Sequence, residues 1–238
     1  MKSWFGLWVD EPFVLFGTTH LIMLAIFLLG TFSLCMYVKL GRSHPRFNGW
    51  IRWSLFSMLV LSELSYQTWA VVNGVWSMSD RIPLHLCGMA SLIGIITLLT
   101  YQPKLIQLNY FIGILPAILA LITPDVPFDY HHFRFWKFFI HHMAISWTSL
   151  FLILSTTVRI TWRSMIESFV YLLLYTGVVG FVNQQLGSNY LYLQHPPLSN
   201  TLLNFLGSGY LYVLNLILLA FFSFVLMWVI YRAITAHK

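Results

Sequence analysis

Seven stretches of this chain come close to, or exceed, the ~18 to 20 apolar residues needed to cross a ~30 Å hydrocarbon core, and nothing else in it restricts the fold so severely. They lie at roughly 17–40, 53–75, 84–101, 105–123, 137–158, 164–186 and 207–231. Composition agrees: 58% of the residues are hydrophobic and 8% charged, against about 45–50% and about 25% in soluble domains. The expected fold is all-α: residues 1–238 form one domain, a bundle of seven transmembrane helices, multi-pass in the cell membrane. No linker, low-complexity tract or clear internal repeat divides it.

Basic residues close to helix ends stay in the cytoplasm, which gives the bundle a direction. With the N-terminus outside, the inner loops and tail hold Lys39, Arg42, Arg46, Arg52, Lys104, Arg159, Arg163, Arg232 and Lys238, nine of the 13 Lys and Arg residues. Lys2, Arg81, Arg134 and Lys137 remain outside, together with the acids Asp10, Glu11, Asp80, Asp125 and Asp129. The net charge of +6 therefore reflects topology and contact with anionic lipid, and no nucleic-acid-binding patch is present. Asp10 and Glu11 precede the first apolar run and bases follow it, the reverse of a cleaved signal peptide. Trp4, Leu7 and Trp8 share helical spacing suited to an interfacial anchor. On this topology Cys35 and Cys87 fall at opposite membrane faces and do not pair; Cys35 reads as an apolar filler.

Polar groups inside a bilayer need a partner or a purpose. His20 opens the first span. Glu63, Tyr66 and Gln67 share a face of the second by i, i+3 and i+4 spacing, and His85 and Cys87 open the third. His141 and His142 lie about one turn into the fifth, and Asn183 and Asn189 at the outer end of the sixth. All belong to the outer half of the membrane, and the inner half has almost none. Such a cluster reads as a site, although membrane bundles also use polar side chains as interhelical glue. An uncharged, aromatic-rich stretch from Gly187 to Asn204 is a candidate lid over its mouth.

Cys87 is the candidate nucleophile. Asp80 can cap the third helix and Pro83 fits its first turn, which places the thiol near a helix N-terminus, where the dipole favours a thiolate. His85, two residues away, lies on nearly the opposite face, so the base has to come from another helix. His141 and His142 diverge by ~100°, so one of them faces a given partner. Ser146 and Ser149 extend a polar stripe from His142, whereas His141 shares its face with Ile145 and Thr148. Glu63 can accept from a histidine and hold its tautomer, completing a nucleophile, base and orienter set. A metal site built from His20, His85, His141, His142 and Glu63 ranks lower because no compact ligand motif is present, and no cofactor is implied. His44, His131, His132, His195 and His237 read as solvated loop or tail residues.

The combination of "FGTTHL", "SELSY", "PLHLC", the "HH" of the fifth span and "NYLYL" after the sixth resembles the YwaF-like family of bacterial seven-helix integral membrane proteins. It is also distantly similar to an animal transmembrane acyltransferase that moves a fatty acyl chain onto an ether lysophospholipid. That resemblance implies Cys87 as nucleophile and His142 as the helix-five histidine. The chain departs from the bacterial pattern at Met143, where the family usually has Gly. It departs again at Ser208, Gly209 and Tyr210, where Pro-Trp-Pro is usual.

The reading is a cysteine-dependent acyltransferase or acyl hydrolase of outer-leaflet lipids. Its partners are membrane lipids, a phospholipid acyl donor and a lysophospholipid acceptor. Cys87, His142 and Glu63 carry the chemistry; His20, His85, Tyr66, Gln67, His141, Asn183 and Asn189 bind substrate, with Asn183 or Asn189 and His20 at the oxyanion. The alternative is a transporter or binding protein for a small solute or lipid headgroup, with Glu63 as a proton-linked carboxylate. A reporter fused after Lys238 is expected to read as cytoplasmic; activity on the opposite face reverses the orientation of every residue above.

Overall fold

The computed structural model describes residues 2–7, 12–41, 45–197 and 201–236. Trp8, Asp10, Glu11, Arg42, His44, His237 and Lys238, which entered the sequence reading, lie outside them. The chain folds as α1 (Lys2–Phe5), α2 (Thr18–Gly41), α3 (Pro45–Val72), α4 (Leu86–Thr100), α5 (Pro103–Gly113), α6 (Leu115–Ile122), α7 (Phe133–Ser155), α8 (Trp162–Leu186) and α9 (Gly209–Thr235). Two short 3₁₀ turns, Tyr190–Tyr192 and Leu202–Leu206, follow α8. Among the described residues the one pairing of extended backbone is an isolated antiparallel bridge between Pro12 and Phe128.

Among the described residues six segments are long and apolar enough to cross a membrane, with α5 and α6 together forming one of them. The seventh expected span is shorter than the sequence suggests. Its helix starts at Leu86 rather than 84 and has 15 residues, about 22 Å at ~1.5 Å per residue, less than the ~30 Å core. It stops at Tyr101, which adopts φ 52, and Pro103 follows. Arg52 of α3 donates to the Leu98 carbonyl at 2.6 Å and lies over the Tyr101 ring, so a cation meets the negative helix end and an otherwise unpaired acceptor is satisfied. Asp80 does not cap α4. His85 is the N-cap residue, with no side-chain cap bond, and Asp80 pairs with Arg81 instead. The fourth run breaks at Ile114 because Pro116 has no N–H to give the Ile112 carbonyl.

α7 is the axis of the bundle. It packs against α2, α3, α4, α5 and α6, and 67% of its apolar window is buried, against 11% for α9, which lies outermost on α8. Close approach to α7 depends on small residues, as in membrane bundles generally. A methyl group added at Gly113 of α5 would sit 2.1 Å from Ser149 Oγ and 2.7 Å from Asn109 Oδ1, two atoms already hydrogen-bonded to each other at 2.9 Å. Gly177 of α8 has nothing within 4 Å. Gly113→Ala should therefore lower stability by roughly 1–3 kcal/mol through overpacking, read as a lower melting temperature in detergent, while Gly177→Ala should not. Equal melting of the two variants would mean that the α5–α7 contact is looser than its geometry indicates.

Candidate functional site

A cavity of about 560 Å³ lies between the C-terminal end of α3, the N-terminal ends of α4 and α7, and α6, α8 and α9. This is within the ~300–1,000 Å³ usual for small-molecule sites. One end is polar, with Glu63, Tyr66, Arg81, His85, Arg134 and Lys137 in its wall. The other is an apolar limb between α6, α8 and α9, lined by residues such as Leu119, Phe169, Leu172, Ile217 and Phe224. Cys87, His141 and His142 also line the cavity.

Cys87 is the second residue of α4, nearer the helix start than the sequence reading placed it. The segment ahead of it is clamped from three sides. The Tyr190 hydroxyl donates to the Met78 carbonyl at 2.7 Å and accepts from Ile82 N at 3.1 Å. Tyr175 of α8 donates to the Leu84 carbonyl at 2.9 Å, and Gln67 of α3 to the Arg81 carbonyl at 2.8 Å. Gly88 has to be glycine, because a Cβ there would lie 2.6 Å from the Pro83 carbonyl oxygen. The first helical bond runs from Met89 N to the His85 carbonyl, so the amides of Leu86, Cys87 and Gly88 precede it.

Both helix-five histidines of the sequence reading sit on α7 and reach the cavity, although consecutive positions diverge by ~100°; the cavity wraps around the helix far enough to meet both rings. His142 donates from Nδ1 to the Phe138 carbonyl at 2.8 Å, which leaves the Nε2 lone pair available. His141 Nδ1 lies 2.7 Å from Ser62 Oγ, which also donates to the Leu59 carbonyl at 3.0 Å. One hydroxyl hydrogen cannot serve both, so with Leu59 satisfied His141 donates from Nδ1 and keeps Nε2 as an acceptor.

Glu63 does not orient a histidine as expected. It accepts from Gln67, one turn along α3, at 2.7 Å and lies 3.9 Å from Lys137 Nζ, because Lys137 stands one turn before His141 on the face of α7 that meets α3. The Phe138 carbonyl takes the orienting role instead. Tyr66 accepts a hydrogen bond from Arg81 and lies under Lys137 Nζ, 4.4 Å from the ring centroid. Gln67 bridges Glu63, Arg81 and the Trp76 indole behind the cavity wall.

Three residues grouped with the site by depth are occupied elsewhere. His20 is fully buried, accepts at Nδ1 from Phe16 N at 3.0 Å and donates from Nε2 to the Leu121 carbonyl at 2.8 Å, so neither nitrogen is left for a ligand. Asn183 gives its amide to the Tyr190 carbonyl and accepts from Tyr190 N and Ser188 Oγ. Asn189 ties down Gln194 and His195. None of the three lines the cavity, and none supplies an oxyanion donor. The stretch after α8 does cover the polar end, with Leu191, Tyr192 and Leu193 in the wall and Tyr192 donating to Asp125 at 3.2 Å.

The sequence reading used Arg81, Arg134 and Lys137 only to orient the membrane. A further signal was present: Arg134, Lys137 and His141 are spaced i, i+3 and i+7, so the two cations share a helical face with a cavity histidine. Among the described residues no group of three or more His, Cys, Asp or Glu is placed to hold a metal ion.

Six apolar segments long enough to span and an amphipathic cavity at one end of the bundle define a polytopic helical membrane protein. The chain belongs to the TMEM164 family, whose model matches residues 15–228, nearly its whole length. No curated protein and no solved structure matches it.

His85, ahead of α4, stands between the Tyr190 and Tyr192 rings at 5.2 and 5.0 Å. Burial pushes its pKa down, opposed by Asp125 and Asp80. His132 is not a solvated loop residue but fully buried. Its Nδ1 caps α7 by accepting from Arg134 N at 3.1 Å, and its Nε2 donates to the Gly6 carbonyl at 2.8 Å, pinning α1. Burial lowers its pKa, the Gly6 carbonyl opposes the shift, and Arg134 adds to it. The folded state therefore binds the proton less readily than the unfolded chain, whose histidine titrates near ~6.5. The contribution to stability is complete above that value and lost as pH falls below it. Melting temperature should drop between about pH 7.5 and about pH 5, and His132→Asn, which keeps a cap acceptor but does not titrate, should flatten the drop. An equally steep drop in the variant would assign the pH sensitivity to another group.

Proposed function

We propose that this TMEM164 family protein is a cysteine-dependent acyltransferase, or acyl hydrolase, of outer-leaflet phospholipids, with the polar end of the cavity facing outward in a multi-pass cell-membrane protein. The observation that carries the reading is one amphipathic cavity lined by a helix-start cysteine and by a buried histidine whose free nitrogen is fixed by a backbone carbonyl. The likeness of "PLHLC" and of the α7 histidine to an animal transmembrane acyltransferase supports it.

The acyl chain of the donor lies in the apolar limb and its ester near Cys87. Sγ attacks the ester carbonyl carbon as His142 Nε2 takes the thiol proton. The C–S bond forms, the carbon–oxygen bond to glycerol breaks, and His142 returns the proton to the departing glycerol oxygen. A lysophospholipid hydroxyl, or water, then attacks the thioester, giving its proton to His142, which restores it to sulfur. Lys137, a cation lining the same cavity as Cys87, is placed to stabilise negative charge that develops during the attack. The first-turn amides of α4 take the oxyanion role that Asn183, Asn189 and His20 cannot fill.

Incubating the purified protein with acyl-labelled phosphatidylcholine should place a hydroxylamine-sensitive label on Cys87. Cys87→Ser should abolish it and all transfer, and His142→Ala should slow labelling at least ~100-fold, with His141→Ala close to wild type. Retained transfer in Cys87→Ser ends the acyl-enzyme reading and favours the binding or transport alternative. A loss confined to His141→Ala moves the base to that residue.

A further inference from the structure

Three cations meet at the polar end of the cavity, and one aromatic pair holds them there. Tyr66 and Trp69 stack at 6.0 Å with their planes 15° apart. Lys137 Nζ and the Arg81 guanidinium lie over the Tyr66 ring at 4.4 and 5.6 Å, and the Arg134 guanidinium lies over Trp69 at 5.7 Å. Rings of this kind fix a cation without neutralising it. Two of the three also have carboxylates: Arg81 forms an ion pair with Asp80 at 3.1 Å, and Lys137 has Glu63 at the edge of ion-pair distance, 3.9 Å. Arg134 is different. Among the described residues its guanidinium makes no hydrogen bond or ion pair, yet it is half-buried and lines the cavity.

A guanidinium has five donors in a planar fork, suited to two oxygens of one anion, and leaving such a group partly desolvated and unpaired is costly. Carboxylate side chains are close by. Asp80 is already bonded to Arg81, and Asp125 receives the Tyr192 hydroxyl while lying exposed on the cavity rim. Among the described residues no carboxylate pairs with Arg134, and its fork is open to an anion bound in the cavity it lines. The anion's position is defined by chemistry on both sides: an apolar limb leads away from the cations, and Asp80 and Asp125 on the rim suit a positive group beyond them.

We propose that Arg134, with Arg81 and Lys137, forms a subsite for the phosphodiester of a zwitterionic glycerophospholipid, whose chains enter the apolar limb and whose ammonium group faces Asp80 and Asp125. This deepens the acyl-transfer reading, from which the choice of a lipid as ligand is taken, and assigns its headgroup recognition to residues outside the cysteine and histidine chemistry.

Binding can be separated from that chemistry by using Cys87→Ser protein, which forms no thioester, and titrating it in maltoside micelles with dioctanoyl phosphatidylcholine, dioctanoylglycerol, glycerophosphocholine and inorganic phosphate. Saturable binding of the phospholipid is expected, at least ~10-fold tighter than that of any other probe. Arg134→Gln should weaken it at least ~10-fold, as expected on removing a charge-assisted, bidentate contact. Arg134→Lys keeps the charge but not the fork, and should fall between the two with an unchanged melting temperature. Diacylglycerol binding as tightly as phospholipid would remove the phosphate from the recognition, and inorganic phosphate binding as tightly would make the ligand a free anion. Full affinity in a folded Arg134→Gln or Arg134→Lys protein overturns the subsite. Lipid binding without labelling of Cys87 in the wild type would instead leave the subsite standing and end the acyl-transfer reading.

Discussion

A helix that crosses a bilayer while carrying Arg134, Lys137, His141 and His142 has to be enclosed by protein, since each of these groups exposed to hydrocarbon would cost several kcal/mol. α7 satisfies that demand by taking the central position, with five neighbouring helices around it. Ser62 of α3 meets His141, Glu63 meets Lys137, and Asn109 of α5 meets Ser149. The order of the bundle follows from these contacts. α3 and α5 flank the polar stripe because they carry its partners, and α9, which carries none of them, lies at the periphery.

Satisfaction also separates structural polar groups from available ones. His20, His132 and Asn183 have each of their polar side-chain atoms committed to the fold. His142 commits one ring nitrogen and keeps the other. Arg134 commits none to a hydrogen bond among the described residues and meets only the face of Trp69. His142 and Arg134, which keep capacity to spare, line the cavity, whereas His20, His132 and Asn183 do not.

The sequence made the spans legible because hydrocarbon thickness imposes a length that hydropathy reads directly; α2, α7, α8 and α9 lie within a few residues of expectation. It misplaced the start of α4 because Pro83 and Asp80 suggested a capped first turn, whereas Asp80 is drawn to Arg81 and the segment is held by tyrosines from α8 and beyond. Depth alone brought Glu63, Tyr66, His85, Cys87, His141 and His142 together, and all six line the cavity. Depth could not distinguish His20 from them, since its partner is the Leu121 carbonyl, and a backbone acceptor a hundred residues away leaves no mark in residue type. His132 was read as solvated for the same reason. Lys137 was within reach, because its i, i+4 relation to His141 is a statement about sequence.

The clamp on the segment before α4 links the cover of the cavity to the position of Cys87. Tyr190 belongs to the stretch that roofs the polar end, and its hydroxyl holds both Met78 and Ile82, five residues before Cys87. Tyr192, two residues on, packs against His85 with its ring tilted and reaches Asp125. Displacing this stretch would break the bonds that set the start of α4, and with them the position of the thiol. The close approach of Gly88 to the Pro83 carbonyl leaves the turn little room for an alternative arrangement. The stretch over the polar end and the start of α4 are accordingly one hydrogen-bonded unit, and the position of Cys87 depends on both.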